Sequence, residues 1–242
     1  MNFYIKYLRP LLLSFLRRHP NLAFDSLRQE KNNLSFANIP DRSQRNFEDL
    51  DWLMGSNAAN KGLLLLQFDE AAFLFRLARK LPAAQILEIG RYYGGSAFLF
   101  AVASDDQSMV TSIDIAPQND QLLQIALQKS GLAHKVRLLV GASRDGETRT
   151  DFYDLIFVDG DHSYKGVGWD YEHWRKAVKP GGYLAFHNAA SGRPYTNTAP
   201  GVFRLTQEIT AHDGEHYTRQ PDVGSLVLFI RTQRPWPSDD RK

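Results

Sequence analysis

The sequence predicts an α/β fold, a doubly wound and mostly parallel sheet with helices on both faces. Three observations carry this. From residue 85 onward, short apolar runs alternate with stretches of helical spacing, and strands covered on both faces read that way. A glycine-rich turn, Gly90 with Gly94 and Gly95, follows the first run directly and opens a helix-like stretch. Polar clusters then fall at the carboxyl ends of the runs, where open parallel sheets bind their ligands.

Residues 1–60 read as an N-terminal helical arm or cap. In its first part Phe3, Ile5, Leu8, Leu12, Phe15 and Leu16 share one helical side, with Lys6, Arg9, Arg17 and Arg18 elsewhere. One reading is a basic amphipathic segment in peripheral contact with a membrane surface. The other is a helix packed on the domain or on a second subunit of a homo-oligomer. Pro10 would disturb a single long surface helix and favours the second. Lys6 and Arg9 interrupt the apolar run and no small-residue cleavage site follows, so no signal peptide is expected. Residues 20–45 read as a polar linker, Pro40-Asp41 as the opening of a helix towards Leu50 and Leu53, and 55–62 as a loop.

Residues 61–235 read as the main domain. A helix is expected from Leu63 to Leu81, with positions 64, 65, 68, 72, 75 and 78 at helical spacing and Pro82 past its end. Strands are expected at 85–89, 109–114, 136–140, 154–159 and 182–187, with helices at 95–104, 118–130 and 164–178 between them. Lys179-Pro180-Gly181-Gly182 reads as a sharp turn into the fifth strand. A helix at 200–212 and a closing pair of strands at 215–219 and 225–231 complete the domain, and the pair places one antiparallel strand in the sheet. Residues 236–242 read as a polar tail.

Composition narrows the function. A length of 242 residues suits one large domain with an added arm. A net charge of +2 argues against a chain-wide nucleic-acid footprint. With no cysteine, disulfides, zinc–thiolate sites and a cysteine nucleophile are excluded. No run of 18 apolar residues is present, so no spanning helix is expected. The expected location is cytoplasmic, membrane-peripheral if the arm lies on lipid.

The turn itself, with Glu88, Gly90, Tyr92, Gly94 and Ser96, brings backbone close to a ligand and offers free N–H groups at a helix start. Its G-x-x-x-G-G spacing differs from the dinucleotide G-x-G-x-x-G, where Tyr92 would stand at the second glycine. Asp114, followed by Ile115, suits a ribose diol, with helix capping near Pro117 as the alternative. Gly141, Ala142 and Ser143 leave room for a flat base. Asp159-Gly160-Asp161-His162-Ser163-Tyr164 is the densest polar cluster. Asp161 or Ser163 suits a helix cap, Asp159 could bind a hard cation through oxygen, and His162 is a candidate general base. His187 and Asn188 end the fifth strand and face the same cleft.

Together these motifs resemble the class I S-adenosylmethionine-dependent methyltransferases, most closely the O-methyltransferases of the catechol and macrolide-sugar group. The resemblance covers about residues 60–230. It rests on Leu87-Glu88-Ile89-Gly90 with Gly94-Gly95-Ser96, on Asp114, on Gly141-Ala142-Ser143, and on the Asp159–Tyr164 cluster followed by Lys179-Pro180-Gly181-Gly182. It implies a Rossmann-like sheet of seven strands with a reversed last strand. It implies a methyl donor, S-adenosylmethionine, across the first two strand ends, and Mg2+ held by the Asp159 position and two residues ending the fifth strand. Those two are His187 and Asn188 here. Asn188 can offer an oxygen, whereas His187 is a poor magnesium ligand. The resemblance also implies that His162 acts as base, and Asp159 is expected to orient either His162 or the substrate hydroxyl.

The expected reaction is methyl transfer to a hydroxyl of a small molecule, a saccharide or glycan-type acceptor, met by Ser191, Arg193, Tyr195 and Asn197. The rivals are a nicotinamide-linked oxidoreductase, which the glycine spacing opposes, a methyltransferase fold kept as a binding module, and a hydroxylase-named branch of the same fold.

Overall fold

A computed structural model of the chain describes Phe36 and residues 39–55, 63–190 and 199–237. The segment read as amphipathic at 1–20, residues 56–62 of the loop expected at 55–62, the Ser191–Asn197 cluster and the last five residues lie outside these, while Gly55 ends a helix. No described helix is long and apolar enough to cross a membrane.

Seven strands form one sheet: β1 (Gln85–Ile89), β2 (Met109–Asp114), β3 (Val136–Val140), β4 (Tyr153–Val158), β5 (Val178–Phe186), β6 (Tyr217–Arg219) and β7 (Val227–Arg231). Their order is β3-β2-β1-β4-β5-β7-β6. The first five run parallel, and β7 runs antiparallel to both β5 and β6. The strand order reverses direction between β1 and β4, which opens a crevice at their carboxyl ends.

Helices cover both faces. On one side lie α1 (Asp51–Gly55), α2 (Phe68–Arg79), α3 (Gly95–Ala103) and α4 (Asp120–Lys129); on the other lie α5 (Tyr164–Trp174) and α6 (Pro200–His212). Alternate residues of each central strand feed the two layers. Ile86, Leu155 and Phe157 face the first, and Leu87, Ile156 and Val158 face the second. All nine residues of α3 are buried, because it lies between the sheet and α2 and so needs no polar face.

Four expectations shift in detail. The helix read as opening at Pro40-Asp41 opens only at Phe47, as a short 3-10 turn with Asn46 at its start. The helix expected from Leu63 is α2, which starts at Phe68. Glu70 turns back to accept the Gln67 N–H at 2.8 Å, and this capping arrangement ends the helix there. Residues 63–67 are non-helical, and all but the buried Leu64 line the crevice. The fifth strand begins at Val178, so the Lys179–Gly182 stretch is a bulge inside the strand, with a register shift opposite Tyr153 and Leu155. Trp236, first residue of the stretch read as tail, stacks on His216 at 3.9 Å and lies under the Arg231 guanidinium at 4.5 Å.

Candidate active site

The glycine turn joins β1 to α3 in a conformation that its side chains dictate. Gly90 has φ +91°, and a Cβ there would sit 2.2 Å from the Asp159 carbonyl oxygen. Only glycine lets the ends of β1 and β4 meet this closely. Asp114 fixes the next two residues of the turn. Its Oδ2 accepts the Arg91 and Tyr92 N–H groups at 2.7 Å each, and its Oδ1 accepts that of Ala116 at 2.7 Å. Arg91 is buried and forks onto both Asp120 oxygens at 2.8 Å, while its Nη1 donates to the Ser112 carbonyl at 2.6 Å. The turn is thus tied to β2 and α4 before any ligand arrives.

A cavity of about 1020 Å³ opens over the carboxyl ends of the first five strands. Gly90, Tyr92, Ser96, Asp114, Ile115, Ala142, Ser143, Asp159, His162 and Asn188 all line it. Glu88 and Gly94, named with them from the sequence, do not belong to its wall. Gly94 caps α3 and faces Leu123. Glu88 is fully buried beneath the turn, where its Oε2 accepts the Ser112 hydroxyl and its Oε1 has no partner. Burial pushes its carboxyl up to about 7.

One end of the cavity wall carries Ile115 and Trp169, with the Arg144 guanidinium 4.9 Å and the Lys165 ammonium 4.6 Å from the Trp169 ring centre. Ile115 is 73% exposed and Trp169 46% exposed, both on the wall beside Ala142 and Ser143. Trp169 is not marked out by the sequence. Its only signal is an aromatic residue on the second turn of the helix that Ser163 caps by accepting the Gly166 N–H. The Ser143 hydroxyl donates to Asp170, whose carboxyl is raised by burial.

The other end holds a chain of four titratable side chains. The Asp159 Oδ1 pairs with His162 Nε2 at 3.2 Å and with His187 Nδ1 at 2.9 Å. On its far side, His187 Nε2 meets Glu70 Oε2 at 3.3 Å. Glu70, from α2, also accepts the Ser225 N–H at 2.6 Å and hydroxyl at 2.8 Å. Spacing along the chain carries no sign of Glu70, because 117 residues separate it from His187. Burial alone would depress His187, but the two carboxylates outweigh it and push the imidazole up to about 10. Burial would raise Asp159 and Glu70, yet the His187 charge and the hydrogen bonds hold both below the usual carboxylate range.

This donor set does not fit magnesium. Both His187 nitrogens face carboxylate oxygens, so the ring presents no lone pair, and Asp159 Oδ1 is shared by two histidines. Asn188 reaches the wall with φ +55°, but one amide and two carboxylates already engaged by histidine and Ser225 fall short of an oxygen cage. No group of three or more His, Cys, Asp or Glu among the described residues is arranged to hold a metal ion.

Residues 87–189, the segment that carries the turn and both ends of this cavity, match the family described as Methyltransferase domain. Over this segment the chain resembles the class I S-adenosylmethionine-dependent methyltransferases. Similar methyltransferases include the Mycobacterium tuberculosis catechol O-methyltransferase, 29% identical over 184 residues, covering 71% of this chain and 80% of that one. The Arabidopsis thaliana tapetum-specific methyltransferase 1 is 29% identical over 170 residues, covering 67% and 72%. The chain spans 58% of the length of a caffeoyl-CoA O-methyltransferase 3 of Dictyostelium discoideum, and between 52% and 80% of the other curated relatives it matches. In fold, the chain resembles the Streptomyces achromogenes O-methyltransferase TomG crystallised with S-adenosylmethionine, with a TM-score of 0.56, 19% identity, and 88% and 96% of the two chains covered. Ile115 and Trp169 stand on the cavity wall beside Ser143, and Asp114 lines it with three of its acceptor positions taken by backbone N–H groups.

Proposed function

We propose that this chain transfers a methyl group from S-adenosylmethionine to a hydroxyl of a small organic acceptor, with His162 as general base. The observation that carries the base assignment is the His162–Asp159 contact at 3.2 Å. A carboxylate at Nε2 favours the tautomer with its proton there and leaves Nδ1 to take the acceptor's proton. Asp114 would hold the ribose, Ile115 and Trp169 the two faces of the adenine, and Ser143 with Asp170 its polar edge. The bound donor supplies an electrophilic methyl on a positive sulfur.

The wall beside Glu70 favours an aromatic hydroxyl over a saccharide. Leu63, Leu65, Leu66 and Phe68 line the cavity there, and Leu65 and Phe68 are exposed. Sugar sites need convergent polar groups, whereas apolar walls suit flat rings. The names of the catechol and caffeoyl-CoA relatives agree with a phenolic acceptor.

The test is transfer of labelled methyl across phenols, catechols, saccharides and lipid-linked glycans, alongside calorimetry with S-adenosylhomocysteine. His162→Ala is expected to lose about 10²–10⁴-fold in turnover while binding S-adenosylhomocysteine as the native protein does. Turnover near the native value would remove His162 from the role.

A further inference from the structure

We propose that the His187 imidazolium, clamped between Glu70 and Asp159, occupies the position of a divalent cation at the acceptor end of the cleft, so that the site works without a metal. This rests on reading the cleft as a methyl-transfer site, and it names what stands beside the acceptor there.

Both ring nitrogens of His187 are engaged. Nδ1 lies 2.9 Å from Asp159 Oδ1 and Nε2 lies 3.3 Å from Glu70 Oε2. Carboxylates only accept hydrogen bonds, so a ring that faces one at each nitrogen donates from both. Such a ring is a cation with no lone pair left for a metal. The side chains of His187 and Glu70 are 7% and 0% exposed, and Asp159 is close by at 19%. Two carboxylates drawn together at this depth repel unless a positive charge lies between them. In a metal enzyme a divalent ion would supply that charge. Here the described residues place an organic cation between them, and the surrounding bonds keep it there. Glu70 is anchored independently of His187 by the Ser225 N–H and hydroxyl and by the Gln67 N–H. His187 is anchored by its own backbone, whose N–H donates to the Val158 carbonyl at 3.1 Å.

The arrangement also has a consequence for His162. Among the described residues, Asp159 is the only carboxylate that meets both histidines. Both meet the same oxygen, Oδ1, so the His187 contact at 2.9 Å fixes the atom that His162 shares at 3.2 Å. His187 is therefore a positioning residue, with neither N–H free for the acceptor.

Mn2+ titration of the full chain, followed by electron paramagnetic resonance and by thermal unfolding, tests the proposal without needing an acceptor. The native protein is expected to show no saturable Mn2+ binding and the same Tm in Mn2+ or in a chelator. His187→Asp turns the cation position into a third carboxylate and should gain a saturable Mn2+ site and a Tm that rises with Mn2+. If His187→Asp folds only when Mn2+ is present, that rescue is the same gain. Saturable binding by the native chain, or a His187→Asp chain that neither binds Mn2+ nor is rescued by it, overturns the proposal. Calorimetry with S-adenosylhomocysteine runs in parallel. Loss of that binding would count against the methyltransferase reading and not against the metal-free site.

Discussion

Glu88 and Asp114 sit at neighbouring strand ends, and their surroundings give them opposite characters. Asp114 accepts three backbone N–H groups, whereas Glu88 has one hydroxyl and an unpartnered oxygen. Burial lifts the Glu88 pKa from 4.5 to about 7, so the folded state holds that proton more tightly than the unfolded chain. The stabilising contribution is complete below pH 4.5 and is lost as pH rises through about 7. The Tm difference between Glu88→Gln and the native protein should therefore move in favour of Gln across that window. A difference that stays flat from pH 4.5 to above 7 would show that Glu88 is not protonated in the fold. The sequence showed Glu88 as a motif residue but not its depth, because burial depends on the layers packed above it.

Elements meet closely where glycine stands at a crossing. A Cβ on Gly95 would lie 2.0 Å from the Leu63 carbonyl oxygen, so the start of α3 rests directly on the segment that lines the cavity. Gly95→Ala should destabilise the fold by about 1–3 kcal/mol through overpacking, read as a lower midpoint in urea unfolding with unchanged slope. It should also weaken S-adenosylhomocysteine binding, since Leu63–Leu66 must move. A variant as stable as the native chain would mean that the contact is easily relieved. Periodicity located α2 but set its start five residues early. Leu64 and Leu65 keep the helical spacing, and the Gln67–Glu70 cap decides the boundary. Lys179–Gly182 reads as a turn because Pro and Gly are its common residues. Its pairing with β4 makes it strand instead.

At the scale of the whole molecule, the cavity is built from five strand ends, and its ligand should bind only the folded chain. S-adenosylhomocysteine at a hundred times its Kd should add about 2.7 kcal/mol, a rise of roughly 5–10 °C in Tm for a domain of this size. NAD+ under the same conditions should produce none. A comparable rise with NAD+ would restore the oxidoreductase reading that the glycine spacing opposed.

The alternation of apolar runs and helical stretches determined the sheet, its parallel core and its reversed strand, because each residue's periodicity is a local property of the chain. The glycine turn, Asp114 and the Asp159–His162 cluster were legible for the same reason, each being a short motif at a strand end. The tertiary structure alone decided that Glu70 joins His187 and Asp159, that Trp169 shares the cavity wall with Ile115, and that His187 has no nitrogen left for a metal. Those relations link residues distant in sequence, and charge pairing at depth depends on what the fold brings within a few ångströms, which no spacing along the chain records.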